Sequence, residues 1–382
     1  VNGIDVSDDF VECSVVQNGN QEADTFSLTL PDTITTYIDL MDFYKEKVEV
    51  YLGYYMYRGG TQQKVVRKIL TGYTDKKEPS ITKPGGNLIT LTGRNLVGRL
   101  IDATDTWAYI NTTLEGIVKD QMSLIPISQR YNIPPGLNNY PYGSPQEGYG
   151  TTFEIDNGSI WETVSRLASD VGLSCTIDSN ENFYFGVYEG QESYKFIFNF
   201  ENKKIISATQ EELRQENPVQ GNVIDFKGNL STPNSFHHKC QIIGHNDEGM
   251  EVVYGEAEYI PEYLKAGTGV KGATQLRTMK VINDLAIVPE MARVQAMMRL
   301  WENQRDLFTV QLASQYGIPY IQPGHIMGIE NCEYPIFNRD FWIRNVTHSI
   351  SKQNGYRMDL FGEVPPYGWT VTNIENEVGV IF

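Results

Sequence analysis

Residues 24–30 read "DTFSLTL" and residues 306–312 read "DLFTVQL". Successive side chains of a strand point to opposite faces, so Phe26, Leu28 and Leu30 are expected to face a core in one stretch. Phe308, Val310 and Leu312 do so in the other. After the first stretch come "VEVYL", "ILTGYTDKKE" and "ITLTGRN"; after the second come "IMGI", "WIRNVTHSIS" and "MDLFGE". Matched positions 24 and 306, 50 and 327, 73 and 346, 89 and 358 draw steadily closer, with Met327 placed to within one residue. One pair of alternating strands matches easily by chance. Four in order predict a β unit present twice in the chain.

A chain of 382 residues exceeds one ordinary core, so the repeat is expected to occupy separate domains. Residues 1–104 read as a first β-barrel domain, with Pro84-Gly85-Gly86-Asn87 turning a hairpin near its end. Residues 105–200 read as an α/β middle lobe. In "NTTLEGIVKDQMSLI", Thr112 and Glu115 form a capping box ahead of Leu114, Ile117, Val118, Met122 and Ile125. In "GSIWETVSRLASDVGL", Ser159 and Glu162 repeat it, with Ile160, Trp161, Val164, Leu167, Ala168 and Val171 as the buried face and Gly172 as the stop. Between these helices, residues 131–150 form a long Tyr/Pro/Gly loop of the kind that is functional or mobile. Residues 201–363 read as a second barrel domain carrying an insertion at 229–275. Its helix opens at Pro289 and sets Met291, Val294, Met298 and Trp301 on one core-packing stripe. Residues 364–382 form a C-terminal tail. The fold class is therefore mainly β with an α/β insertion, built as two barrels plus a small α/β lobe.

Charge and cysteine usage narrow the function. A net charge of −17 and a pI near 4.8 leave no basic patch with which to grip nucleic acid. The four cysteines (Cys13, Cys175, Cys240, Cys332) form no CxxC and read as free thiols of a protein folded in the cytoplasm. No apolar run is long enough to span a membrane, and the first residues lack the basic-then-apolar pattern of a secretory leader.

Motifs that would carry chemistry are sparse. "HHKCQIIGH" offers His237, His238, Cys240 and His245, residue types that zinc accepts, but without the tidy pair-and-pair spacing of structural sites. On a strand, His238 and Cys240 would share a face and His237 would point away. An ordinary strand with exposed histidines is the preferred reading, and His348 is expected to fill a β-barrel position. The 48 carboxylates are too many for any pair to stand out as a glycosidase dyad. No GxSxG, HExxH, Walker loop or GxGxxG occurs. "KPGGN" lacks the helix start that a phosphate cradle needs. No catalytic, metal or cofactor-binding residue and no cofactor is assigned.

"LTGRNLVGRLIDA", closing the first block, resembles a segment of phage tail baseplate hub proteins of the late control protein D-like family. "IQPGHIMGI" and "FWIRNVTHSISKQNGYRMDLFGE" agree, through Pro323, Gly324, Trp342, Val346, His348, Gly355 and Tyr356. "SIWETVSRLASDVGL" resembles the helix of that family's middle lobe, while 229–275 finds no counterpart. The resemblance implies a homotrimer with two tube-like barrels per chain. It would join a sixfold tail tube protein to a threefold central spike protein, beside other baseplate proteins. DNA or cargo would pass through its channel without specific binding, and the particle would be a virion tail baseplate or injection machine assembled in the host bacterial cytoplasm. Two other readings are a tail-associated cell-wall hydrolase, with its cleft in the middle lobe and 229–275, and a carbohydrate-binding adhesin using the Tyr-rich loop. The tail, with Trp369, Val378, Val380, Ile381 and Phe382, is too apolar to be left exposed; it either packs back on its own barrel or, as preferred, docks on another protein, a neighbouring hub subunit or the spike.

Overall fold

A computed structural model describes residues 1–19, 21–31, 45–58, 61–82, 86–110, 112–133, 152–171, 173–186, 193–199, 204–209, 223–231, 235–245, 252–259, 275–282, 289–314, 317–330 and 332–364. Gly172, most of the Tyr-rich loop and the tail beyond Val364 lie outside them.

The first block holds β1 (Glu12–Asn18), β2 (Thr25–Pro31), β3 (Lys47–Arg58), β4 (Thr61–Thr82) and β5 (Gly86–Asn95). Its strands pair in the order β1-β2-β5-β4-β3, each antiparallel to the next. Alternation places Val15, Phe26, Leu28, Leu30, Val48, Val50, Leu52, Ile89 and Leu91 in one core.

The chain then enters the middle lobe. This contains α1 (Leu96–Asp102), β6 (Thr104–Ile110), α2 (Leu114–Ser123), β7 (Gln129–Asn132), β8 (Thr152–Ser159), α3 (Ile160–Asp170), β9 (Ser174–Ile177) and β10 (Phe183–Gly186). The expected apolar faces of α2 and α3 are buried in a single core with Phe183 and Phe185. Ser159 caps α3 by accepting the Glu162 N–H at 3.0 Å, as its spacing predicts. The cap of α2 is one residue later than expected. Thr113, not Thr112, accepts the Gly116 N–H at 3.1 Å, while the Thr112 hydroxyl turns back to the Ile110 carbonyl.

The second block collects strands from further apart: β11 (Ser193–Asn199), β12 (Lys204–Thr209), β13 (Val223–Leu230), β17 (Phe308–Ser314), β18 (Ile326–Glu330), β19 (Asp340–Ser351) and β20 (Gly355–Glu363). Its ladder runs β13-β17-β20-β19-β18, all antiparallel, which is the order of the first block. Strand β11, placed with the middle lobe by the boundary at 200, instead pairs with β18. Likewise Asn229 and Leu230 of β13 pair with β17 and so belong to the block, not to the insertion.

What remains of the insertion folds as β14 (Ser235–His245), β15 (Val252–Glu258) and β16 (Gln275–Ile282), in the order β15-β14-β16. It continues past 275 and is covered by α4 (Pro289–Gln304). Helix α4 is buried on more than the expected stripe. Val294 joins the middle-lobe core, whereas Ala292, Ala296 and Leu300 pack on Cys240, Ile242 and Val253. Small residues there allow a close approach: a Cβ on Gly255 would sit 2.3 Å from the Ala292 backbone. The expected Met291 side chain lies outside the described residues. Among the described residues no helix is long and apolar enough to cross a membrane.

The two blocks are not separate sheets. Strand β1 pairs with β2 on one edge and with β19 on the other, so that among the described residues twelve strands form one continuous sheet. The chain is mainly β with an α/β insertion.

Candidate functional site

The joint between the blocks is built from the side chains that β1 and β19 turn inward. Gln17 Nε2 donates to the Ile69 carbonyl at 3.0 Å, leaving Oε1 to face His348 Nε2 at 3.2 Å. Because that amide oxygen can only accept, Nε2 carries the imidazole proton, and Nδ1 accepts from the Tyr356 hydroxyl at 2.7 Å. His348 is fully buried, and burial lowers its pKa to about 3. It stays neutral and ties three strands together. Gly355, at φ +68, makes the turn that brings Tyr356 back to it.

Beside the joint, a cleft of about 380 Å³ opens where both blocks, the middle lobe and α4 meet. Trp161, Trp301 and Trp342 line it with Asp24, Arg305 and Gln322. Pro323 and Gly324 form part of its rim, and the Gly324 N–H donates to the Ile343 carbonyl at 2.8 Å. Burial pushes Asp24 up to about 7, against the pull of the Asn18 N–H at 2.8 Å and the Asn95 amide at 3.1 Å. Both of its oxygens are thus engaged in holding the β1–β2 connection to β5. The cleft is not the one expected for a hydrolase, since no lining residue comes from 229–275.

The histidine-rich segment is strand β14, but its side chains disperse. A bulge at His238 breaks the alternation on which a face shared with Cys240 rested. His237 Nδ1 lies 3.2 Å from the Asn303 amide oxygen and His238 Nδ1 lies 2.9 Å from the Arg277 carbonyl. Cys240 is buried under α4 and His245 is exposed. Among the described residues no three His, Cys, Asp or Glu side chains gather as metal ligands would. Cys13, Cys175, Cys240 and Cys332 are all free and buried, and burial raises each thiol.

The surfaces left over are sheet edges and exposed apolar side chains. The β3–β4 hairpin turns Leu52 into the core and Tyr51, Tyr55 and Val66 outward. Further along β4, Ile81 is 83% exposed. Sequence pattern alone did not single out these positions.

By sequence, no protein-family model matches the chain, and no curated protein matches it. Its structure does have relatives. It is similar to the tail protein from Neisseria meningitidis MC58, with a TM-score of 0.59 and 14% identity, over 93% of this chain and 92% of that one. It is similar to the 43 kDa tail protein of prophage MuSo2 from Shewanella oneidensis, with a TM-score of 0.60 and 15% identity, over 94% of both chains. An E. coli protein described as a component of the type VI secretion system, structurally similar to T4 bacteriophage tail proteins, matches at a TM-score of 0.51 and 12% identity. That likeness covers 94% of this chain and 73% of the other. The chain has the fold of phage tail proteins and of their type VI secretion counterparts.

Proposed function

We propose that the chain is a structural hub of a phage tail or a related injection particle. The observation that carries this reading is the repetition of one five-strand ladder within one continuous sheet. A homotrimer of such chains presents six similar blocks around a threefold axis, so one face can meet a sixfold tail tube and the other a threefold spike. The blocks would close as barrels around a channel, and the acidic surface would keep DNA or acidic cargo sliding through it. The small sheet of β14–β16 with α4 would be a surface addition serving other baseplate proteins. Residues beyond Val364 would dock on a neighbouring hub subunit or the spike.

No reaction is assigned. The cleft carboxylate Asp24 is committed to Asn18 and Asn95, which supports a structural role for it over an acid–base one. Native mass spectrometry of the purified chain tests the hub reading directly. A trimer is expected, and a chain that stays monomeric within the assembled particle overturns it. Incubation with peptidoglycan is expected to release no fragments. Deleting residues 367–382 is expected to leave the fold intact while weakening trimer or spike attachment.

A further inference from the structure

Just past the end of β20, Val364 is buried in the second block's core, and its carbonyl accepts from Trp301 Nε1 at 3.3 Å. Trp301 is also a wall of the cleft described above, so the chain beyond Val364 starts at the cleft's edge. On that wall the rings of Trp301 and Trp342 lie 5.3 Å apart at 53°, with Trp342 the more open of the two. The Arg305 guanidinium stands 5.4 Å from the centre of the Trp301 ring.

The wall has donors to spare. Trp342 Nε1 and Arg305 Nε are buried, and neither has a partner among the described residues. A buried N–H left unmet is costly, and native structures rarely keep one. Glu363 faces Trp342 across the β19–β20 ladder, and its Oε1 is unmet as well. Burial favours the protonated form of that carboxyl, in which it too donates. Trp301 already shows what such a wall takes, since its own N–H is met by a main-chain carbonyl.

The sequence that follows supplies what the wall lacks. Val364 is succeeded by Pro365, Pro366, Tyr367, Gly368 and Trp369. Proline has no N–H, so Pro365 and Pro366 bring carbonyls and ask the wall for no acceptor. Consecutive prolines favour the polyproline helix, which has no internal hydrogen bonds and docks in aromatic-lined grooves at little entropic cost. Strand residues two apart share a face, so a chain continuing from Glu363 brings residue 365 to the face of Trp342. Five residues in that helix reach about 15 Å, enough to cross the cleft. We infer that residues 365–369 seat in their own chain's cleft, with the proline rings on Trp342 and main-chain carbonyls on Trp342 Nε1 and Arg305 Nε. The occupant is this segment because it begins at the wall, where a segment of any other chain would have to displace it. The seat divides the tail: 365–369 form an anchor, and Val378, Val380, Ile381 and Phe382 stay outside it to dock on a partner.

The test is the full-length chain with the photoreactive p-benzoylphenylalanine in place of Tyr367. After irradiation, the linked product is expected to run at the mass of one chain on a denaturing gel. Mass spectrometry of its peptides is expected to place the link on Met298, Trp301 or Trp342, all of which line the cleft. Two variants check the cause. Pro365→Gly with Pro366→Gly removes the preformed helix and lies outside the folded blocks, whereas Trp342→Phe keeps a ring and removes the N–H. Each is expected to lower the yield of that link severalfold, with the circular dichroism of the chain unchanged. A product at the mass of two chains, a link elsewhere in the chain, or no link at all overturns the seat. So does a cleft link whose yield ignores both variants. The hub reading does not depend on any of these results, since the oligomer's native mass decides it separately.

Discussion

The two blocks share a ladder, a bulge and a glycine, yet they treat charge in opposite ways. In the first, Asp75 is the bulged residue of β4, and Arg94 donates to it at 2.6 Å. In the second, Arg344 is the bulged residue of β19, and Glu363 takes the place of Arg94, 3.5 Å away. The ion pair is the same with its signs exchanged. Its setting differs too. Arg94 and Asp75 are both 29% exposed and meet Lys45 and Asp102, whereas Glu363 is fully buried between Arg305, Arg344 and Trp342. Among the described residues, Glu363 Oε1 is left without a partner. Backbone geometry was kept in both copies; the side chains diverged where each copy meets a different neighbour.

If the copies are packed alike, deleting the same apolar side chain should cost the same. Leu91→Ala and Leu360→Ala remove equivalent, fully buried residues, and each is expected to lose about 2–5 kcal/mol in chemical denaturation. A large inequality would break the equivalence. The shared glycine separates the blocks more finely. A Cβ on Gly93 would lie 2.0 Å from the Tyr73 carbonyl oxygen, whereas on Gly362 it would first meet Met327 Cε at 2.8 Å. Gly362→Ala is expected to cost about 1–3 kcal/mol, and Gly93→Ala more, because a backbone cannot step aside as a methionine can.

Glu363 supplies a pH dependence that Arg94 cannot. Burial, opposed by Arg305 and Arg344, raises its pKa to about 7. The native state then holds a proton that the unfolded state has released, so this group's contribution falls as pH rises from about 5 to 7 and levels off above. Asp24 and Asp170, raised to about 7 and about 6, act in the same direction. Glu363→Gln is expected to match the native chain in melts at acid pH and exceed it at pH ~8. The smallest effect is expected at the exposed pair. Asp75→Asn should change stability by about 0–1 kcal/mol, less in high salt.

The sequence made the repeat visible because alternation survives divergence, but alternation fixes register only to within two residues. Matching Phe26 to Phe308 slid the strands by one such step. The ladder sets Phe26 opposite Gly93 and Val310 opposite Gly362, so Phe26 corresponds to Val310. In β4 the slip was two steps, placing Tyr73 against Val346 where the ladder has Trp342. Only the last strand was matched correctly, since "LTGR" and "LFGE" carry the glycine that cannot slide. The counterpart of β1 was missed altogether, because β13 lies far from its block in sequence and its last two residues fell in the segment that matched nothing. Nor could period or composition reveal that β1 bridges to β19, a contact between opposite ends of the chain. The cleft was illegible for the same reason: Gln17, Trp161, Arg305 and Trp342 become neighbours only once that bridge exists.

The bridge also decides how the molecule would answer a mechanical pull. Strand β1 is bonded on both edges, and its hydrogen bonds to β19 lie across the strand direction over seven facing positions, from Glu12–Ser351 to Asn18–Asn345. Tension directed along the strands loads those bonds in shear, all at once, and the blocks part only when the whole row yields. Tension directed across them opens the row from one end, bond by bond. The same joint is therefore stiff to force along one axis and compliant to force along the other.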